Sequence, residues 1–570
     1  MGENITNDMS KNSSYDLEYT QYNPYYIFKD TCSVSSDKKA LVYKEESYTA
    51  KEVLQLVHNF IYFIQNQNMH LSNNVLYSAK NHPLLLISYL SCAYLGLSFS
   101  PINPLLSKRD KSNIFNELQP LLHITDQNLD EYYSKCFESI NHTTSIDDTV
   151  TKIKNPSERK VNNIGAILYT SGSSGKPKGV KLTYKNLWWG TKNLRLGFKY
   201  TYEDIALVVA PMSHIGGFNG CTIDLLINGG TVVIAENLQA DYLLDILEKE
   251  KVTLMFAVPT LYEKILLAHT SQDLSNLSLP LTGGSPVPKT LISKAKNHGL
   301  NLLPVWGMTE ISASGTYLPQ NLVTEKPNNV GLPFPHVDIQ ILSLEDKKPI
   351  TTNSKIGEIA VKGPSVSSGY LNHTEHDEEH FHNGFLLTKD LGCWFEDKFV
   401  QITGRKSELI ISGGEHVFPN EIDEILQSHT EITMSKTFSV PDKYWGEKII
   451  SAIVPTIPSQ DDYVLQDNIS SVKHKNLDKE NNFTITKSNN LQNTSFINKL
   501  TEQEYKSFIN KKTCLLKDDS ESYLCIKNYL KTTLSKYKIP KEIIILGSMP
   551  LLPNGKIDTN RLTEIYTRYI

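Results

Sequence analysis

Apolar positions along this chain follow two different periods. Over EVLQLVHNFIYFIQN (52–66) they recur every three to four residues, which predicts an amphipathic helix. LLLISYLSCAYLGLSF (84–99) is apolar all round and predicts a buried core helix; with 16 residues, three serines and a stop at Pro101, it falls short of the roughly 20 apolar residues of a membrane span. A short extended piece follows at 97–102. From 161 to about 370, short apolar runs such as IGAILYT, DIALVVAP, GTVVIA and VTLMFAVP alternate with helical segments such as YLLDILEKE. Strands alternating with helices predict an α/β design with mostly parallel sheets covered by helices. After about 400 the texture changes to FVQITG, SELIISGG, a helix EIDEILQSH and YWGEKIISAIVP, predicting a small separate α+β domain.

These patterns divide the chain into a polar tail at 1–22, a large domain at 23–404 and a small domain at 405–570. The small domain carries a polar insertion at about 461–515: between 461 and 500 there is no Gly or Pro, and Asn occurs eight times. The tail has no apolar core of a signal peptide and no Arg-rich transit pattern, although MGENIT matches the short myristoylation pattern, which is common by chance.

Composition narrows the function classes. Lys+Arg is 57 against Asp+Glu 62, so no overall basic field points to nucleic acid. Seven scattered cysteines without CxxC spacing suggest neither a disulfide framework nor a zinc site, and fit a reducing cytoplasm. HTEHDEEHFH places histidines four apart, but Asp377 follows His376 where a zincin needs Glu, and a solvated helix face is the simpler reading.

The strongest chemical signal is YTSGSSGKPKGV (169–180). Three glycines, four hydroxyls and two lysines in twelve residues make an anion cradle, because glycine lets backbone N–H groups converge while hydroxyls and ammonium groups donate to phosphate oxygens. Thr170, Ser171, Gly172, Ser173, Ser174, Gly175, Lys176 and Lys178 are its candidate phosphate-binding residues. The segment is no Walker A loop, since Pro177 follows the GK pair, and it contains no GxSxG elbow.

The same segment resembles the phosphate loop of the adenylate-forming superfamily, which includes acyl- and aryl-CoA synthetases, firefly luciferase and peptide-synthetase adenylation domains. The resemblance continues in order through SFSPINP (98–104), APMSHIGG (210–217), LTGGSPVP (281–288), WGMTE (306–310), GEIAVKGPSVSSGY (357–370), TKD (388–390), GRKSELIISGGEHVFPNEIDEIL (404–426) and LPNGKID (552–558). It implies a large domain of stacked sheets with a small β-barrel subdomain, and a small mobile C-terminal domain rotating near Ser407. It also implies ATP, Mg2+ and coenzyme A as cosubstrates and cofactor. Trp306, a Tyr in most of the family, would stack on adenine, with Gly284, Ser285, Gly307 and Met308 beside it. Thr309 would donate to phosphate and Glu310 would hold Mg2+. Asp390 would accept from the ribose, with Arg405 as a second contact; Lys389 stands where the family has Gly. His214 would gate the acid substrate. Lys556 would bridge the carboxylate and the α-phosphate during adenylation, and Gly413 and Gly414 would face the pantetheine arm afterwards.

On that alignment Gly216, Gly217, Gly220 and Gly283, with Phe218 and Val305 as walls, predict a roomy apolar pocket for an aromatic or medium-chain hydrophobic acid. The run PMSHIGGFNG has no Asp to hold an amino group and no Arg or Lys for a second carboxylate. The expected activity is an AMP-forming acid–thiol ligase that makes a CoA thioester, as a monomer or homodimer. A stand-alone acyl-AMP ligase loading an acyl carrier protein and an inactive homologue serving as a scaffold are the alternatives. Retention of Lys556, Thr309, Glu310 and Asp390 speaks against the last.

Overall fold

A computed structural model describes residues 20–66, 73–138, 164–171, 177–323, 325–326, 330–372, 380–396, 398–456, 496–501, 503–504, 507–508, 513–517, 520–552 and 557–569. The chain folds as two compact units, Met1–Thr403 and Gly404–Ile570.

In the first unit six strands run parallel in the spatial order Leu303–Trp306, Leu279–Gly283, Leu254–Ala257, Ile205–Val208, Thr231–Ile234 and Lys39–Tyr43. Chain order reverses around Ile205–Val208: the next strand, Thr231–Ile234, pairs on one side, and the one after, Leu254–Ala257, on the other. Such a reversal opens a crevice at the carboxyl ends of the strands. Antiparallel strands Val330–Pro333, Asp338–Leu342, Gly357–Lys362, Phe385–Phe395 and Phe399–Arg405 extend the same sheet beyond Thr316–Tyr317. Outward from Thr316–Tyr317 they pair in the order Val330–Pro333, Phe399–Arg405, Phe385–Phe395, Gly357–Lys362 and Asp338–Leu342.

A second sheet carries Leu122–Thr125, Asn74–Ser78, Ser98–Pro101 and Ile164–Ser171 in parallel, with Pro177–Thr183 antiparallel at its edge. Helix Pro83–Leu95 is buried along its whole length, as its uniform apolarity requires. His82 caps its start and Gly96, at φ 67°, ends it. No helix among the described residues is long and apolar enough to cross a membrane. Helix Ala50–Gln65 opens with a Thr49–Glu52 capping box, and helix Tyr184–Phe198 with a Thr183–Asn186 equivalent.

The second unit is a six-stranded sheet in which Gly446–Pro455 and Glu542–Leu546 pair in parallel at the centre. Ile449, Ile453, Ile543 and Ile545 pack into one buried cluster with helices Pro419–Gln427 and Glu521–Lys531. Ile450, Ala452, Ile544 and Leu546 pack into another with helix Thr559–Thr567. Both faces are covered, which is why EIIIL reads as a continuous apolar run.

Two boundaries differ from the sequence reading. Residues 461–495 of the expected insertion lie outside the described residues, but Phe496 is fully buried and Thr513–Leu516 pairs antiparallel with Glu542–Leu546, so its later part belongs to the packed fold. Of the expected tail, residues 1–19 lie outside the described residues, whereas Tyr22 packs edge-on against Trp188 at 5.2 Å.

Candidate active site

Because the six central strands are parallel, their carboxyl ends share one edge, and His214, Gly284, Ser285 and the turn Gly307–Glu310 follow those ends. After Ile205–Val208 the loop carries His214, half-buried, at the start of the short helix Ile215–Phe218. Asn81 grips this loop from outside: its Nδ2 donates to the Ala210 carbonyl at 2.9 Å, and Met212 N donates to its Oδ1 at 2.8 Å. After Leu279–Gly283 comes Gly284 at φ 80°, a left-handed conformation that glycine adopts without strain, and then half-buried Ser285. After Leu303–Trp306 the chain enters the 3₁₀ turn Thr309–Ile311, with Met308 and Thr309 half-buried and Glu310 6% exposed. A Cβ on Gly307 would lie 2.2 Å from the Ala313 carbonyl oxygen, so this turn needs glycine.

The glycines at the acid end play a different part from the one expected. A Cβ on Gly217 would lie 2.4 Å from the Pro211 carbonyl oxygen, one on Gly220 2.1 Å from that of Gly216, and one on Gly283 2.5 Å from that of Val305. These three permit close backbone packing rather than leaving space. Gly216 makes room for an aromatic ring, since its Cβ would sit 2.6 Å from Cε1 of Phe256. Phe256, with Gly216, Gly217, Gly220 and Thr222, lines a small cavity. Phe218 is no wall: it is fully buried, 4.8 Å from the Tyr89 ring and 6.2 Å from that of Phe99. Val305 is half-buried beside Gly283.

Two long-range hydrogen bonds tie the motifs together. The Trp306 indole Nε1 donates to Asp390 Oδ2 at 2.9 Å across 84 residues, so Trp in place of Tyr supplies a donor to the expected ribose carboxylate. Asp390 is 4% exposed, and its N–H donates to Thr388 Oγ1 at 3.1 Å. Lys389 stands at φ 62°, the conformation in which the family's glycine costs nothing, and its N–H donates to Glu358 Oε1 at 3.2 Å. Replacing Lys389 by Gly relieves that strain at some cost in chain entropy; it is expected to raise stability by about 0.5–1 kcal/mol in chemical denaturation.

The second bond runs from Tyr370 Oη to Glu310 Oε1 at 2.9 Å. Tyr370 also lies under Lys178, whose Nζ is 5.7 Å from the ring centroid. Lys178 and Thr170 pair across the antiparallel strands Ile164–Ser171 and Pro177–Thr183, so both described ends of the expected phosphate segment lie on paired strands. Residues 172–176 of that segment, hence Gly172, Ser173, Ser174, Gly175 and Lys176, lie outside the described residues, as does the Ser171 side chain. Lys556 also lies outside them, as do His373 and His376. Asn81, Asn186, Phe256 and Tyr370 were not singled out from sequence. Phe256 and Tyr370 lie inside the runs VTLMFAVP and GEIAVKGPSVSSGY, where nothing marks them apart from their neighbours.

In the second unit Gly413 and Gly414 have φ of 60° and 84° and join strands Ile410–Ser412 and Glu415–Val417 by a two-residue turn that needs positive φ at both positions. Gly413 N donates to the Trp445 carbonyl at 2.8 Å. Arg405 is exposed at the end of Phe399–Arg405.

No group of three or more His, Cys, Asp or Glu able to hold a metal occurs among the described residues. A single buried carboxylate, Glu310, beside a phosphate-type hairpin fits Mg2+, which takes one or two carboxylates and completes its shell with phosphate oxygens and water. Among the described residues no disulfide forms, and burial pushes Cys32 and Cys514 up to about 12, which keeps these thiols protonated and unreactive.

The family model for AMP-binding enzymes matches residues 28–371, more than half of the chain. The chain belongs to this family. Among curated members it is 30% identical over 396 residues to a feruloyl-CoA synthase of an Amycolatopsis species, covering 68% of this chain and 80% of that protein. It is 27% identical over 439 residues to a 2-succinylbenzoate–CoA ligase of Bacillus pumilus, covering 76% and 88%. Among solved structures, ATP-bound MatB from Rhodopseudomonas palustris superposes with a TM-score of 0.74 at 20% identity, over 96% of this chain and 99% of that one. The o-succinylbenzoate CoA synthetase of Bacillus subtilis, in complex with its acyl-adenylate, gives 0.71 at 23% identity, over 94% and 97%.

Proposed function

We propose that this AMP-binding enzyme is an ATP-dependent carboxylate:CoA ligase acting on an aromatic or other hydrophobic acid in the cytoplasm. The observation that carries the reading is the joining of Trp306 to Asp390 and of Glu310 to Tyr370 at one edge of the parallel sheet. In the first half-reaction a carboxylate oxygen of the acid attacks the α-phosphorus of ATP and pyrophosphate leaves, giving acyl-AMP. In the second, the CoA thiol loses its proton and attacks the acyl carbon, and AMP leaves. A carboxylate is a poor electrophile, and the mixed anhydride with AMP overcomes this by supplying a good leaving group.

Trp306 offers adenine a flat face while its N–H orients Asp390 toward the ribose. The hairpin 170–178 and Thr309 receive the phosphates. Glu310 would hold Mg2+, whose charge offsets that gathering on the phosphate oxygens. Gly414 offers an uncluttered backbone to the pantetheine arm, since an added Cβ there meets nothing within 4 Å, while Gly413 leaves room for the Trp445 ring, 3.2 Å from where its Cβ would sit.

The acid is read from the surroundings of Phe256: the small cavity it lines carries no charged side chain, which favours an acid without a second charge. Phe256→Ala is expected to shift kcat/KM toward bulkier acids by about 10-fold, the scale of one to two methylenes of pocket space. An unchanged preference order would remove Phe256 from the pocket. The deciding assay is pyrophosphate release from MgATP across aryl, fatty, dicarboxylic and amino acids, each with and without CoA. CoA-dependent turnover of one aryl or fatty acid is expected. Adenylation that CoA does not accelerate would point to a carrier-protein thiol instead, and no release with any acid would overturn the reading.

A further inference from the structure

We infer that Tyr370 is a positioning residue that sets the metal carboxylate Glu310 in register with the phosphate hairpin; the role rests on the ligase reading of that site. Three observations converge on it. The Tyr370 hydroxyl donates to Glu310 Oε1 at 2.9 Å, with the tyrosine 8% and the glutamate 6% exposed, so the bond is shielded from water. The same residue is fastened to the hairpin strand Pro177–Thr183. Val180 bridges Tyr370, Lys181 N donates to the Gly369 carbonyl at 2.9 Å, and Leu371 N donates to the Gly179 carbonyl at 2.7 Å. Ser367 N, three residues earlier, donates to the Glu310 backbone carbonyl at 2.7 Å.

Segment 363–371 is itself held from behind. Asn186 Nδ2 donates to the carbonyls of Pro364 at 3.0 Å and Val366 at 2.7 Å, and Ser312 Oγ donates to that of Ser365 at 2.9 Å. The tyrosine therefore touches the strand carrying Lys178 with its backbone and ring, and the Glu310 carboxylate with its hydroxyl. A cation shared between that carboxylate and nucleotide phosphates needs both at fixed separation, and Tyr370 is the one side chain of this segment shown touching both.

Tyr370→Phe keeps the ring and the backbone clamp and removes the hydroxyl alone. With the protein saturated by α,β-methylene-ATP, Mn2+ affinity followed by electron paramagnetic resonance is expected to fall about 10-fold, the scale of one hydrogen bond to a charged group. The KM for the acid is expected to stay as in the parent. In a Glu310→Gln background the same substitution is expected to add no further loss, because its effect passes through the carboxylate. Equal Mn2+ affinity of the parent and Tyr370→Phe would overturn the inference. So would a loss of the same size in the Glu310→Gln background, which would mark a structural role. Since the readout is metal binding, absence of turnover in the acid panel would overturn the ligase reading alone.

Discussion

Replacing Lys556 by alanine is expected to lower acid-dependent pyrophosphate release by at least ~10²-fold, the scale for losing one preorganised donor to a developing charge. During adenylation an anionic carboxylate approaches an anionic α-phosphate, and an ammonium group bridging the two offsets a repulsion that water would otherwise screen. Lys556 lies outside the described residues, but its flanks are in place. Leu551 and Ile557 pair antiparallel, Asp558 N donates to the Pro550 carbonyl at 2.9 Å, and Asp558 caps helix Thr559–Thr567. The loss should be confined to one half-reaction. Synthetic acyl-AMP supplied with CoA is expected to give thioester at nearly the parent rate, because no charge gathers at the α-phosphate from a second anion in that step. Unchanged adenylation would remove the assigned role, and equal loss in both half-reactions would make Lys556 a general binding residue.

Glu310→Gln is expected to have an effect of similar size, again about 10²-fold or more on pyrophosphate release, with a raised Mg2+ requirement. Glutamine is nearly isosteric and can still accept from the Tyr370 hydroxyl, so the 3₁₀ turn Thr309–Ile311 should persist. What is lost is the negative charge. A variant with parent-like Mg2+ dependence would show that the metal is held elsewhere.

The chemistry of the site was legible where it depends on composition over a few residues. The glycines, hydroxyls and lysines of 169–180 imply an anion cradle wherever they are placed, and the alternation of strands and helices implies parallel sheets. The helix at 84–99 was legible as a core element because an all-apolar surface has no solvent face. Less was legible where a residue type serves two purposes. Glycine marks open space and close backbone approach equally, and only the 2.1 Å and 2.4 Å clashes at Gly220 and Gly217 distinguish them. Phe218 follows the loop glycines in sequence, yet its ring packs against Tyr89 and Phe99.

The sequence by itself determined the class of chemistry, the order of the elements and the two-part organisation, because these follow from local periodicity and short motifs. Tertiary structure alone decided that Trp306 donates to Asp390, that Tyr370 joins Glu310 to the phosphate hairpin, that Asn81 grips the His214 loop and that Phe256 faces Gly216. Those partners lie from 40 residues apart, Gly216 to Phe256, to 192 apart, Lys178 to Tyr370, too far for any local pattern to encode. They meet because the parallel strands bring the His214 loop and the Trp306–Glu310 turn to one edge, where the antiparallel strand Phe385–Phe395 and segment 363–371 reach them and burial makes each polar group find a partner.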